Sequence, residues 1–293
     1  MTATPTRTGP PVTPTGPASG GEPPDAHQAA GDRTPSLPVS AAFCPACGDQ
    51  PSEPAAMLED FEFRTSSDTF LALRCQTCGT VFLSLVPTDA ALDQIYPAAY
   101  FTSRLSRWHH TAARGTRVLD LGPSVGADQV GRLAHDDAPY DLVRLDLTLE
   151  CSPDALATLQ AVRAALRPGG RAVLLLNNLR SPAFAWFGGR HWGGYDTPRQ
   201  RRVFTREGLV RLARAAELEV AEVTGLAAGE PWVRSFHRWL TDWNAPAWLA
   251  ARFSSRASVS RALFTLVDAM LRPLHRSAFL ITTLRRPESA TTP

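Results

Sequence analysis

No lysine occurs in this chain, and all 30 basic residues are arginine. That excludes a Schiff-base lysine and a P-loop lysine from its chemistry. The N-terminus lacks the continuous apolar run of a secretory signal. No stretch is long enough to span a bilayer, because Asp268, Arg272 and Pro273 interrupt the longest apolar run. Internal repeats are absent. Net charge is only +2, which argues against general nucleic-acid affinity. Cysteine is scarce at five residues, yet four of them form two CxxC pairs. Such usage suits metal binding in a reducing cytoplasm better than disulfides, so the expected location is cytoplasmic.

Residues 1–40 hold nine prolines and five glycines without apolar periodicity. A segment of that composition buries too little to offset its ordering entropy, and it is predicted to be a disordered tail. Residues 41–86 read as short strands around the cysteine pairs. Residues 87–116 form a connector in which PTDAALDQIYPAAYF predicts a short helix capped near Thr88. From 117 the pattern alternates. RVLDL is followed by a short helix at 127–135, YDLVRLDL, a helix at 153–166 closed by RPGG, and RAVLLLNN. A loop containing several glycines leads to a helix at 206–217 capped by Thr205, then EVAEVTGL, a helical insert at 231–276 and a last strand AFLITTL. Alternation of this kind predicts an α/β domain at 117–287, with a mainly parallel sheet covered by helices and a short tail at 288–293.

Cys44-Pro-Ala-Cys47 and Cys75-Gln-Thr-Cys78 are each followed directly by glycine, Gly48 and Gly79. Two such turns let four thiolates converge tetrahedrally on zinc, while the glycine lets backbone amides turn toward the sulfurs. The 27 residues between the pairs leave room for a hairpin through FEFRTSSDTFLALR. Without a further ligand nearby the site is predicted to be closed and structural, a zinc ribbon. Two unrelated reduced CxxC pairs or a redox pair are the other readings, and a thioredoxin-type motif requires a βαβ setting that these segments lack. Cys151 stands alone and reads as a small buried residue.

The segment VLDLGPSVG, residues 118–126, is an apolar strand run carrying Asp120 that breaks into a turn with Gly122 and Gly126. A nucleoside ligand can approach bare backbone at such a strand-turn-helix junction. Gly122, Ser124 and Gly126 also spell GxSxG, the elbow of serine hydrolases. A hydrolase needs several strands before its elbow and an acid and then a histidine after it, which are not evident here. A plain glycine turn packing a helix on a sheet is the third reading.

YDLVRLDLTLECSPDALATLQAVRAALRPGGRAVLLLNN, 140–178, resembles the second half of class I S-adenosylmethionine-dependent methyltransferases. The segment GGRHWGGYDTPRQRRVFTREGLVRLARAAELEV is similar to what such enzymes carry next. Upstream, CPACG, RCQTCGTVF and PTDAALDQIYPAAYF resemble the zinc-binding module of a subfamily that includes sugar C-methyltransferases. The resemblance spans about 43–287 and implies a Rossmann-like fold with S-adenosylmethionine as cofactor. It implies contacts to the cofactor from Asp120, Gly122, Ser124, Gly126 and Glu150. Base and substrate contacts fall on His191, Tyr195 and Arg199, with a small-molecule acceptor, a sugar or nucleotide sugar first. Three positions depart from the family's pattern: Ser124 replaces a glycine, while Cys151 and Gln200 stand where the family has histidines.

Only 13 residues, 127–139, lie where the family has a helix, a strand bearing the ribose-binding acid, a second helix and a second strand. A parallel crossover needs at least about 10–12 residues, so one short helix fits and the two strands do not. In the family sheet order 3-2-1-4-5-7-6 the first and fourth strands are neighbours. The truncated sheet should therefore pair RVLDL, as an edge, directly with YDLVRLDL. An apolar edge needs a cover, for which the zinc module or a second subunit is available. Without the ribose acid, cofactor binding should be weak, and a catalytically degenerate binding or scaffold protein is the alternative to an enzyme. The insert carries Trp232, Phe236, Trp239, Trp243 and Trp248, and residues 231–287 hold nine arginines against two acids. This stripe reads as a face packed on the domain, with peripheral contact to an anionic membrane as the alternative.

Overall fold

The computed structural model describes residues 36–98, 100, 113–123, 139–254 and 257–288. The N-terminal part contains β1 (Val39–Ala41), β2 (Ser52–Leu58), β3 (Phe70–Cys75), β4 (Val81–Leu83), β5 (Leu85–Pro87) and α1 (Leu92–Ile95). The middle holds β6 (Val118–Leu121), β7 (Tyr140–Asp146), α2 (Thr148–Cys151), α3 (Ala155–Ala165), β8 (Leu166–Asn177), α4 (Pro182–Phe187) and β9 (Arg202–Val203). The last part holds α5 (Arg206–Ala215), β10 (Glu219–Leu226), α6 (Glu230–Asp242), α7 (Ala247–Ala251), α8 (Ser258–Ala269) and β11 (Phe279–Arg285).

Five strands form a mixed sheet in the order β10-β11-β8-β7-β6. β6, β7 and β8 run parallel, and β11 is antiparallel to both of its neighbours. This is the order expected of a methyltransferase sheet that has lost its second and third strands. Among the described residues no strand lies beyond β6. In β6 Leu119 and Leu121 are buried while Asp120 is exposed, the alternation of a half-buried strand. β8 is buried almost continuously from Ala172 to Asn177, as befits a central strand covered on both faces. The core between this sheet and helices α3 and α5 includes Val143, Leu145, Leu159, Val162, Leu174 and Leu212.

Local caps behave as the sequence predicts in α5, where the Thr205 hydroxyl accepts from Gly208 N at 3.0 Å. Asp154 does the same for α3, accepting from Ala157 N at 2.9 Å. Thr88 precedes a short 3₁₀ turn but makes no side-chain cap. RPGG is not a helix stop outside the sheet: β8 starts at Leu166 and runs through it, with Gly169 at φ +73° supplying the left-handed residue. The crossover helix expected at 127–135 lies outside the described residues, as does the expected tail up to residue 35. The end of that tail is ordered instead, because Val39 and Ser40 pair with Pro87 and Val86 as part of β1.

The cysteine module does not cover the β6 edge with a strand. Its sheet instead has the order β2-β3-β4-β9, all antiparallel. β9 is a two-residue strand from the distant loop before α5, pairing Val203 with Val81 and Arg202 with Phe82. One apolar cluster then runs from the module, through Leu58, Phe70 and Val81, into Trp192, Tyr195 and Trp232. Module, loop and insert therefore share one core.

Candidate functional site

A cavity of about 700 Å³ opens at the C-terminal ends of the parallel strands. It lies where ligands bind in open α/β sheets, and its size suits a small molecule or cofactor. Pro123 follows β6, Asp146 ends β7 with Leu147 just after it, and Leu175 and Asn177 end β8. The loop before β9 adds Gly193, Gly194, Asp196 and Gln200, and α6 and α8 close the far side with Arg234, Arg261 and Thr265. Leu147 holds the left-handed conformation, φ +55°, which for a residue other than glycine costs on the order of 1–3 kcal/mol. Its strain is held in place because Leu147 N donates to Leu175 O and the Thr148 hydroxyl donates to Leu121 O at 2.7 Å.

Behind the cavity floor Glu150 is fully buried. It accepts from Asn177 N at 3.1 Å, Asn177 Nδ2 at 2.7 Å and Gln200 Nε2 at 3.0 Å. Gln200 Oε1 in turn accepts from Asp196 N at 3.0 Å. Glu150 does not line the cavity but orients two residues that do. Burial pushes its carboxyl up to about 8, against the hydrogen bonds from Asn177 and Gln200, from a usual value near 4.5. A carboxyl whose folded pKa is raised is most favourable to stability while protonated. Its contribution is complete below the unfolded value and is lost as pH rises through about 8. Urea titrations should show wild-type stability declining between about pH 5 and 8. Glu150→Gln, neutral throughout, should flatten that decline; an unchanged profile would show that Glu150 is ionised in the fold.

None of His191, Tyr195 and Arg199 lines this cavity, although their neighbours Gly193, Gly194, Asp196 and Gln200 do. His191 Nε2 lies 2.9 Å from Asp242 Oδ2 of α6, in an ion-pair group with Arg190 and Glu59. Tyr195 is buried in the shared aromatic core, edge-on to Trp192, and burial raises its pKa. Arg199 is wholly buried, its guanidinium forked on Asp60, with Nη2 at 2.5 Å from Oδ1 and Nη1 at 3.3 Å from Oδ2. Burial disfavours its charge, but Asp196 and Asp60 outweigh that and hold its pKa above the ordinary value. The three residues shape the loop; they do not meet in one reacting centre.

Asp120 does not line the cavity either. It pairs across the sheet with Arg144 on β7, Arg144 Nη2 donating to Oδ2 at 2.6 Å. A Cβ added to Gly122 would meet nothing within 4 Å. Ser124 and Gly126 lie outside the described residues. Both positions where the family resemblance expects an imidazole, Cys151 and Gln200, line the cavity. Asp146, Asn177, Asp196 and Arg234 are among the polar lining residues that motif reading missed, with Glu230 and Arg261 on the helical side. The usable signal was position: Asp146 and Asn177 close parallel strands, where α/β proteins place ligand contacts.

The four thiols do converge. Sγ atoms of Cys44, Cys47, Cys75 and Cys78 all lie within 4.8 Å of one another, and Cys44 and Cys78 are 3.6 Å apart. Gly48 at φ +74° and Gly79 at φ +71° close the two knuckles, each donating N–H to the first cysteine carbonyl of its pair at 2.8 Å. Four convergent sulfurs, three of them buried, are the donor set and spacing of a tetrahedral structural zinc site. The cavity fits a cofactor less completely. Asp146 and Asp196 are its acidic partners for a cation, but Arg234, the basic partner for a carboxylate, already lies 3.1 Å from Glu62 Oε2 and 3.9 Å from Asp196 Oδ1, and Asp196 also pairs with Arg199. No acidic strand end faces Gly122 from beyond β6 among the described residues.

The chain matches no family model. A segment of 103 residues, 34% of this chain, is 33% identical to the highly reducing polyketide synthase 2 of Gibberella zeae, of which it spans 4%. Among solved structures, a SAM-dependent methyltransferase of Thermotoga maritima is 13% identical, with 59% of this chain and 84% of that one covered and a TM-score of 0.35. The [4+2]-cyclase SpnF is 16% identical over 60% of this chain and 76% of that one, TM-score 0.30. The O-methyltransferase of a trans-AT polyketide synthase of Brevibacillus brevis is 12% identical over 53% and 47%, TM-score 0.28.

Proposed function

We propose that the protein is an S-adenosylmethionine-dependent methyltransferase acting on a small molecule, with a sugar or nucleotide sugar as the first acceptor class to test. The observation that carries this reading is the polar-lined cavity at the C-terminal ends of β6, β7 and β8, in a sheet of methyltransferase strand order. Asp146 and Asp196 are proposed to hold the cationic part of the cofactor and Arg234 its carboxylate. His191, Tyr195 and Arg199 are proposed to act through the loop they pin. Zinc in the cysteine cluster is proposed to be structural, since four thiolates leave no open coordination position.

A second reading, a cavity protein that binds a small molecule without transferring a methyl group, has its own support. β6 is the last strand among the described residues, Asp120 is engaged by Arg144, and Cys151 and Gln200 occupy the two imidazole positions. Isothermal titration of the zinc-loaded chain with S-adenosylmethionine separates the two. Losing one charged hydrogen-bonding partner costs about 1.5–3 kcal/mol, so binding at least about 10-fold weaker than in a complete methyltransferase is expected. Asp146→Asn should weaken it by a further factor of about 10. No heat and no thermal stabilisation at saturating cofactor would leave the second reading in possession.

A further inference from the structure

Helix α8 turns an unbroken apolar face outward. Val259, Leu263, Leu266 and Val267, continued by Met270 and Leu274, are between 41% and 81% exposed. Val259, Leu263, Leu266 and Val267, at i, i+4, i+7 and i+8, have the spacing of one helix face; Met270 is the C-cap and Leu274 follows in a 3₁₀ turn. This exposure is built in, because the opposite face is locked. Asp268 is buried, accepting from Trp232 Nε1 at 3.0 Å and from Ala278 N at 2.8 Å, while Phe264 stacks on Trp232 with centroids 5.6 Å apart. Rolling α8 to hide its leucines would strand the Asp268 carboxylate and break the stack.

The surroundings say what covers the face. Trp243 and Trp248 are 70% and 65% exposed, and Arg252 lies over the Trp248 ring at 5.7 Å. Arg252, Arg272 and Arg276 are exposed, whereas Asp268, the sole acid in 243–287, is buried. An apolar helix face with exposed tryptophan and arginine on the same insert, and with the neighbouring Asp242 carboxylate paired to Arg190 and His191, is complementary to an anionic lipid surface. A symmetric dimer through the same face would bring two arginine-bearing patches together, like charge toward like charge. Among the described residues no helix is long and apolar enough to cross a membrane, so α8 would lie along the surface.

We infer that the outer face of α8, with Trp243 and Trp248, seats the protein on an anionic membrane surface. This does not rest on the methyltransferase reading. Ser258, Ala262 and Thr265 of the same helix line the cavity, so docking would bring that wall of the cavity to the headgroup layer.

Flotation of the full chain with vesicles tests it, using phosphatidylcholine alone and phosphatidylcholine with phosphatidylserine. Stronger partitioning to the serine-containing vesicles is expected, weakening as salt approaches about 1 M, where the Debye length falls to about 3 Å. The double variant Leu263→Asp/Leu266→Asp should lose at least about 100-fold in partition coefficient, because two exposed leucines no longer enter lipid. Both positions face solvent, so its melting temperature should match wild type. Wild-type protein that ignores both vesicle types, or a double variant that still binds, overturns the inference. A dimer seen by light scattering that the double variant makes monomeric, without lipid binding, would overturn it too and assign the face to a second copy.

Discussion

Removing zinc, or replacing Cys75 with serine, is expected to abolish cooperative folding of the module and to loosen the loop that borders the cavity. Structural zinc contributes roughly 10–16 kcal/mol in zinc-finger peptides, as much as the whole stability of a typical domain. Here the effect should not stay local. Val81 and Phe82, just beyond the second knuckle, pair with Val203 and Arg202 of β9. The Thr205 hydroxyl both caps α5 and donates to Cys78 O. A Cβ at Gly208 would sit 2.1 Å from Thr80 Oγ1 and 3.4 Å from Cys78 Sγ, which shows how closely α5 rests on the cluster. Metal analysis should find about one zinc per chain, and chelation should lower the melting temperature and the protection of amides in 196–208 together. Zinc-free protein that melts at the wild-type temperature would refute a structural metal. Cys151→Ala should leave the zinc content unchanged, since Cys151 belongs to the cavity wall.

Arg199→Ala is expected to destabilise the fold by about 3–5 kcal/mol, the cost of stranding one partner of a buried ion pair. The guanidinium ties its own loop to two others, the 60–63 turn and the end of α1. It forks Asp60, donates to Ile95 O at 2.8 Å and lies over the Phe63 ring at 4.6 Å. Lysine keeps the charge but not the planar fork, so Arg199→Lys should recover only a small part of the loss. Urea unfolding of Arg199→Ala, Asp60→Asn and the double variant should give a strong coupling energy. If Arg199→Ala unfolds within about 0.5 kcal/mol of wild type yet fails to bind cofactor or acceptor, Arg199 is a ligand contact after all.

What could be read from the chain alone was local or forced by chain length. Each CxxC-Gly knuckle depends on residues no more than four apart, so the pattern itself predicts four convergent thiols. Thr205 caps α5 for the same reason. The 13 residues between Gly126 and Tyr140 cannot hold two more strands, and among the described residues β6 is accordingly the edge beside β7. The site residues were less legible, and the cause is specific. His191, Tyr195 and Arg199 share a loop with Asp196 and Gln200, and nothing in the order of those residues says which side chains turn toward the cavity. That is decided by Asp60 capturing Arg199, by Asp242 capturing His191, and by Trp192 receiving Tyr195.

Hydrophobic periodicity shows that a helix has an apolar face but not whether anything covers it. Trp232 and Phe236 of the insert went inward, while the leucines of α8 did not, because the buried Asp268 fixes which way that helix can face. Nor could β9 be foreseen. Two residues carry no strand signal of their own, and they become a strand only because β4 presents an open edge to them. The thiol cluster follows from local spacing and the short interval after β6 from chain length, whereas the strand order is what the family resemblance implies and what the sheet shows among the described residues. Which polar groups face the cavity, where the module docks and which apolar face stays in water were settled only on folding. Those outcomes depend on long-range partners competing for the same side chains, a competition that short-range spacing does not encode.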